Sequence, residues 1–243
     1  MNSPKLKDLT EEQIKNFTLD SKIPIREWYF NESEVRVSHL YEQNVIMHLK
    51  QMAKYRQTNY YGQTDNWLYQ ALTDFSIRGK DVLIIGSLMP WYESIALEFG
   101  CNTCTVVEYR IQDKIVPNVK YIQPHELLDL KFDVVFSISS YEHDGLGRYG
   151  DPINPNADIE AMRNIKNNLK PNGILYLAVP VGVDEIVWNA HRVYGKIRLP
   201  MLIHSWDLIG KYGITKDIWN TPYTNDCPAQ PILVLKNNET KTI

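Results

Sequence analysis

The chain has 243 residues, of which 44% are hydrophobic and 23% charged, with a formal net charge of −3. That length suits one large domain with an extension, and the composition is that of ordinary globular proteins. The charge balance gives no support to a nucleic-acid partner, and no apolar run approaches the roughly 20 residues of a transmembrane helix.

The first 17 residues lack the apolar core of a secretory signal, so a cytoplasmic protein with no membrane association is expected. Cys101, Cys104 and Cys227 form no disulfide framework. The C-x-x-C spacing of the first two reads as a pair of structural thiols, because no second pair completes a zinc site.

Residues 1–78 read as a helical extension. Ser33 is placed to cap a helix running to Tyr55, with Val37, Leu40, Val45, Leu49 and Met52 on one stripe. A second helix is expected over Asp65–Phe75. The aromatic residues Tyr55, Tyr60, Tyr61 and Trp67 lie between them. They read as packing onto the main domain or, alternatively, as a lid over a ligand.

Residues 79–243 read as an α/β domain. Strands are expected at Val82–Ile85, Thr105–Val107, Val119–Ile122, Phe132–Ile138 and Ile174–Val179. Their continuous apolar runs fit a parallel sheet covered on both faces. Helices are expected at Trp91–Phe99, Pro124–Leu128 and Ala157–Leu169. Toward the end, Ser205–Tyr212 reads as a short helix stopped by Gly213. Ile214–Trp219 and Pro231–Lys236 read as an antiparallel hairpin.

The segment Asp81–Arg110 has the order strand, turn, helix, strand, acid, which is the first unit of a nucleotide-binding fold. Gly86 ends the first strand, where a ligand must approach the backbone. Glu108 ends the second, placed to accept hydrogen bonds from both hydroxyls of a ribose. Ser87 is a possible donor and Tyr109 a possible packing surface for that ligand. The turn carries one glycine, followed by Ser87, Leu88, Met89 and Pro90. Arg110 is an alternative occupant of the site through a pair with Glu108.

Two further stretches sharpen this. Asn168-Leu-Lys-Pro-Asn-Gly-Ile-Leu-Tyr-Leu-Ala-Val-Pro180 and Phe132-Asp-Val-Val-Phe-Ser-Ile-Ser-Ser-Tyr-Glu-His143 resemble the strand-five and strand-four regions of class I S-adenosylmethionine-dependent methyltransferases. The terminal hairpin is similar too. A narrower resemblance, to the uncharacterised domain of unknown function 268 family, rests on three stretches. They are Ile85-Gly-Ser-Leu-Met-Pro-Trp-Tyr-Glu93, Val107-Glu-Tyr109 and His143-Asp-Gly-Leu-Gly-Arg-Tyr-Gly-Asp-Pro152.

The likeness implies a Rossmann-like methyltransferase fold with a mainly parallel sheet, S-adenosylmethionine as cofactor and a small-molecule acceptor. It makes Gln123 the residue nearest the adenine edge, and Ser139 and Ser140 the pocket floor. An inactive, methyltransferase-like binding or scaffolding protein is the alternative. A nicotinamide dehydrogenase shares the strand-end acid but not the terminal hairpin.

Glu142 and His143 are the catalytic candidates, with His143 a general base whose unperturbed pKa lies near neutrality. The other reading of His143 is a buried residue pinning its loop. Arg148 and Asp151 read as a structural pair, or Arg148 as an anchor for an anionic group. His143, Asp144, Asp151 and His191 fit no tight metal spacing. Trp188, Asn189, His191, Arg192 and Tyr194 either contact the acceptor or pack against the extension.

Overall fold

The structure is a computed structural model that describes residues 3–33, 42–109, 116–224 and 230–238. Its N-terminal part contains α1 (Glu11–Phe17), β1 (Ile25–Trp28), α2 (Gln43–Lys54) and α3 (Gln63–Asp74). The α/β part follows as β2 (Asp81–Ile85), α4 (Trp91–Glu98), β3 (Thr103–Val107), β4 (Val119–Ile122) and β5 (Phe132–Ile138). After these come α5 (Ala157–Asn164), β6 (Leu169–Ala178), β7 (Glu185–Asn189), β8 (His191–Val193) and α6 (Arg198–Ile203). The chain closes with β9 (Trp206–Tyr212) and β10 (Ile232–Asn237).

Seven strands form one sheet in the order β4-β3-β2-β5-β6-β10-β9, and β10 runs antiparallel to both of its neighbours. This is the Rossmann-like methyltransferase arrangement. Alternate residues of each central strand enter different cores, as the two-residue period of a strand requires. Val82 and Ile84 of β2 pack with Leu49, Leu68, Leu72 and Ile95 from α2, α3 and α4. Leu83 packs on the other face with Met162 of α5 and Leu199 and Leu202 of α6. Burial on both faces is why these strands read as unbroken apolar runs.

The structure differs from the sequence expectation at several places. Trp206–Tyr212 is strand β9, not a helix, and Ile214–Trp219 forms no strand, so the hairpin partner of β10 lies earlier in the chain. Gly210 accounts for part of this: a Cβ there would sit 2.8 Å from the Phe75 ring, so glycine lets β9 close against α3.

The extension also contributes a strand. β1 pairs in parallel with β7, and β7 pairs with β8, giving a second, three-stranded sheet over Phe17, Ile23, Leu146 and Trp188. Finally, the helix expected from Ser33 is observed only as α2, and residues 34–41 lie outside the described residues.

Lys170 ties the opening residues of β2 and β5 together, with its ammonium 2.8 Å from both Asp81 and Asp133. That clamp sits at the edge of the sheet where these strands begin. The candidate site lies at the opposite edge.

Candidate active site

Three loops meet where β2, β3 and β5 end. Gly86 leaves β2 with φ +69°, and its N–H donates to Val107 O at 2.9 Å. A Cβ at Gly86 would lie 3.3 Å from Ser140 Oγ and 4.0 Å from Glu108 Oε2. Glycine therefore supplies both the left-handed backbone and the open space between a hydroxyl and a carboxylate. The Ser87 N–H donates to Glu108 Oε2 at 3.1 Å and fixes that carboxylate over the turn.

The Ser87 hydroxyl faces inward. It lies 2.6 Å from Glu93 Oε1 and 3.0 Å from Met89 O. The amide of Ser87, not its hydroxyl, is thus the group presented toward Glu108. Leu88 is 60% exposed, and Met89 packs against the core around α4. Arg110 lies outside the described residues. Asp65 of α3 secures the helix behind this turn by accepting from Trp91 Nε1 at 2.9 Å and Tyr92 OH at 3.2 Å.

Tyr109 is 83% exposed just past Glu108. Gln123 ends β4, two strands out from β2, and its N–H donates to Glu126 Oε2 at 2.7 Å, capping a short helical turn. The sequence residues therefore fall into a close group of Gly86, Ser87, Glu108 and Ser140, with Tyr109 and Gln123 at the ends of the flanking strands.

Ser139 begins a second group. It holds a left-handed backbone, φ +54°, rare for a side chain larger than hydrogen. This turns its hydroxyl onto Glu142 Oε1 at 2.5 Å. Gln230, just before β10, donates from Nε2 to Ser139 Oγ at 2.9 Å and to Glu142 Oε1 at 3.4 Å. Its own N–H donates to Thr64 Oγ1 at 2.6 Å, and the Tyr61 phenol neighbours Ser139. The extension and the last strand thus reach the same carboxylate. Gln230 escapes sequence reasoning because nothing local marks it within its polar loop, whereas Tyr61 belongs to the aromatic cluster read as packing or as a lid.

Glu142 is fully buried, and burial pushes its carboxyl up to about 7. His143 Nδ1 lies 2.6 Å from Ala190 O. A carbonyl only accepts, so Nδ1 carries the hydrogen and Nε2 presents a lone pair. Burial, followed by the charge of Arg148, pushes the imidazole down to about 3, although 17% of the side chain still meets solvent. The near-neutral base expected from the sequence is therefore a neutral, fixed imidazole. Glu142 is the group of the pair that titrates near pH 7.

The residues after β6 hold the extension in place. Asn189 exchanges two hydrogen bonds with the Phe30 backbone, at 2.8 and 3.0 Å, and Trp188 Nε1 donates to Pro4 O at 3.1 Å. Arg148 pairs with Glu32 at 3.0 Å, and Asp151 instead accepts from the Gly147 and Tyr149 amides. Behind them lies a buried ion cluster. Arg198 binds Asp158 with contacts of 3.0 and 2.6 Å, Tyr194 OH donates to it at 2.9 Å, and Arg192 lies 3.7 Å away.

Two open surface hollows, of about 270 and 380 Å³, are lined by residues of α2, α4 and their neighbours and include none of these groups. No described helix is long and apolar enough to cross a membrane.

The pattern of the family described as Caenorhabditis protein of unknown function, DUF268, matches residues 79–222, more than half of the chain. The chain belongs to this family. In the DUF268 chain the matched stretch runs from before β2 to beyond β9, so it includes Gly86, Glu108, Ser139, Glu142 and His143.

Two solved structures share the fold. The N-methyltransferase NodS from Bradyrhizobium japonicum WM9, in complex with S-adenosyl-l-homocysteine, is 12% identical with a TM-score of 0.50, covering 81% of this chain and 100% of its own. The 1,6-didemethyltoxoflavin-N1-methyltransferase of Burkholderia thailandensis, with bound 1,6-didemethyltoxoflavin and S-adenosylhomocysteine, is 13% identical with a TM-score of 0.51, covering 82% and 80%. No curated protein matches this DUF268 chain in sequence.

Proposed function

We propose that the protein is an S-adenosylmethionine-dependent methyltransferase acting on a small-molecule acceptor. The observation that carries this reading is the convergence of Gly86, Ser140 and Glu108 at the C-terminal edge of the sheet, where a Cβ on residue 86 would intrude. The donor set suits a ribose: a carboxylate to accept from its hydroxyls, beside a glycine turn that lets the ligand approach the backbone. Gly86, Ser87, Glu108, Ser139 and Ser140 hold the cofactor, Tyr109 flanks it, and Gln123 stands toward its base.

When bound, S-adenosylmethionine supplies a methyl group on a positively charged sulfur, which leaves as a neutral thioether once an acceptor lone pair has taken the methyl. The protein's part is positioning, exclusion of water and management of a proton. Glu142 is the group suited to the proton. His143, locked by Ala190, orients the acceptor through Nε2.

Calorimetric titration with S-adenosylmethionine and S-adenosylhomocysteine tests the reading. Saturable heat with both ligands is expected. Folded protein that gives no heat at millimolar ligand ends it.

A further inference from the structure

We propose that Glu142 and His143 together form a receptor for a primary amine, taken up as an ammonium ion, on the acceptor molecule. The binding site rests on geometry alone, and its use in methyl transfer rests on the function proposed above. Glu142 Oε2 is buried and has no hydrogen-bond partner among the described residues. Oε1 already accepts from Ser139 and Gln230. His143 Nε2, which carries the lone pair, lies 3.7 Å from Oε1. Glu142 and His143 thus each keep one acceptor atom, Oε2 and Nε2, that no described protein donor serves.

The neighbouring cations are committed elsewhere. Arg148 binds Glu32 and Ala190 O, and Arg192 binds backbone carbonyls and Asp158. A ligand that completes this pair has to bring hydrogens, and more than one. A hydroxyl has a single hydrogen and leaves one acceptor unfilled, while a carboxylate has none and meets another carboxylate. An amino group has enough for both. Tyr149 stands edge-on to His143 at 5.8 Å, with its ring 5.0 Å from the Arg148 guanidinium.

The proton step balances within the site. R–NH₃⁺ and the Glu142 carboxylate become R–NH₂ and the carboxylic acid, which frees the nitrogen lone pair. The proton returns from Glu142 to solvent when the product leaves. A carboxyl raised by burial to about 7 is matched to that exchange.

The test is a carbon-13 NMR titration of protein labelled at glutamate side-chain carboxyls, with the Glu142 signal assigned by its loss in Glu142→Gln. The probes are propylammonium chloride, propanol and sodium propionate. Propylammonium is expected to move the Glu142 signal at tens of millimolar, with affinity at least about tenfold above that for propanol or propionate. His143→Ala is expected to weaken it by about tenfold.

Equal or stronger response to propanol or propionate overturns the proposal, and so does no response to any probe. The wild-type comparison of the three probes decides the matter even if a variant fails to fold. Titration with S-adenosylhomocysteine on the same sample separates the two readings. Cofactor binding without an ammonium response removes the amine receptor alone, and the reverse removes the methyltransferase reading alone.

Discussion

Two buried acids stand behind the same loop and are treated in opposite ways. Asp158 is surrounded by Arg198, Arg192 and Tyr194. Burial works against its charge, but the two guanidiniums outweigh it and hold the carboxyl below its usual range. Glu142 has a serine, a glutamine and a neutral histidine as neighbours, and its carboxyl is raised. Asp158 is completed by its own protein, as a structural ion cluster is. Glu142 is left with an oxygen to offer. Similar burial therefore yields a permanent charge in one place and a proton-exchanging group in the other, depending on the partners.

The hardest test of this contrast is Asp158→Ala. It leaves Arg198 and Arg192 buried without their counter-charge, which is expected to cost about 3–5 kcal/mol. The check is the urea midpoint at unchanged slope. A loss below about 1 kcal/mol breaks the contrast.

Glu142→Gln has a smaller, pH-dependent effect. The Glu142 carboxyl is raised in the folded state, from 4.5 to about 7. The stability it contributes is thus fully present below pH 4.5 and lost as pH rises through 7. The variant lacks this term, so relative to wild type it gains roughly 3 kcal/mol between pH 4 and pH 8. His143 titrates in the other sense. Lowered to about 3, it contributes stability that is present above 6.5 and lost as pH falls through 3. The difference between wild type and Glu142→Gln isolates the carboxylate, and a flat difference across that range refutes its raised pKa.

Next comes Glu108→Ala. Removing hydrogen bonds to a charged acceptor is expected to weaken S-adenosylhomocysteine by about 1.5–3 kcal/mol, read by calorimetry. Equal affinity in the variant removes Glu108 from the cofactor site. The smallest effect is expected at Lys170→Ala, where the side chain is 39% exposed. Loss of that clamp is expected to cost at most about 1 kcal/mol and less in high salt, read by thermal melts. A larger loss there would mean that the sheet depends on its far edge more than on the ion cluster.

Much of the fold was legible from local pattern. The apolar runs of β2, β3 and β5 stand out because both faces of each strand are covered. Gly86 and Glu108 stand out because they sit at the ends of adjacent strands. The β9 strand did not, because its apolar residues also satisfy a short helix, and the choice falls to pairing with β10 and to the contact of Gly210 with Phe75. The same holds for the strand β1, whose partner lies about 160 residues further on.

By itself, the sequence determined the α/β order, the turn after the first sheet strand and the acid at the end of the next, since each depends on neighbours a few residues apart. Only the tertiary structure decided which groups share a site. It turned the Ser87 hydroxyl inward to Glu93, made His143 a neutral anchor and joined Ser139 and Gln230 to Glu142. Those outcomes depend on burial and on contacts across the whole chain. Both set protonation and hydrogen-bond supply, and neither is written in any single stretch of residues.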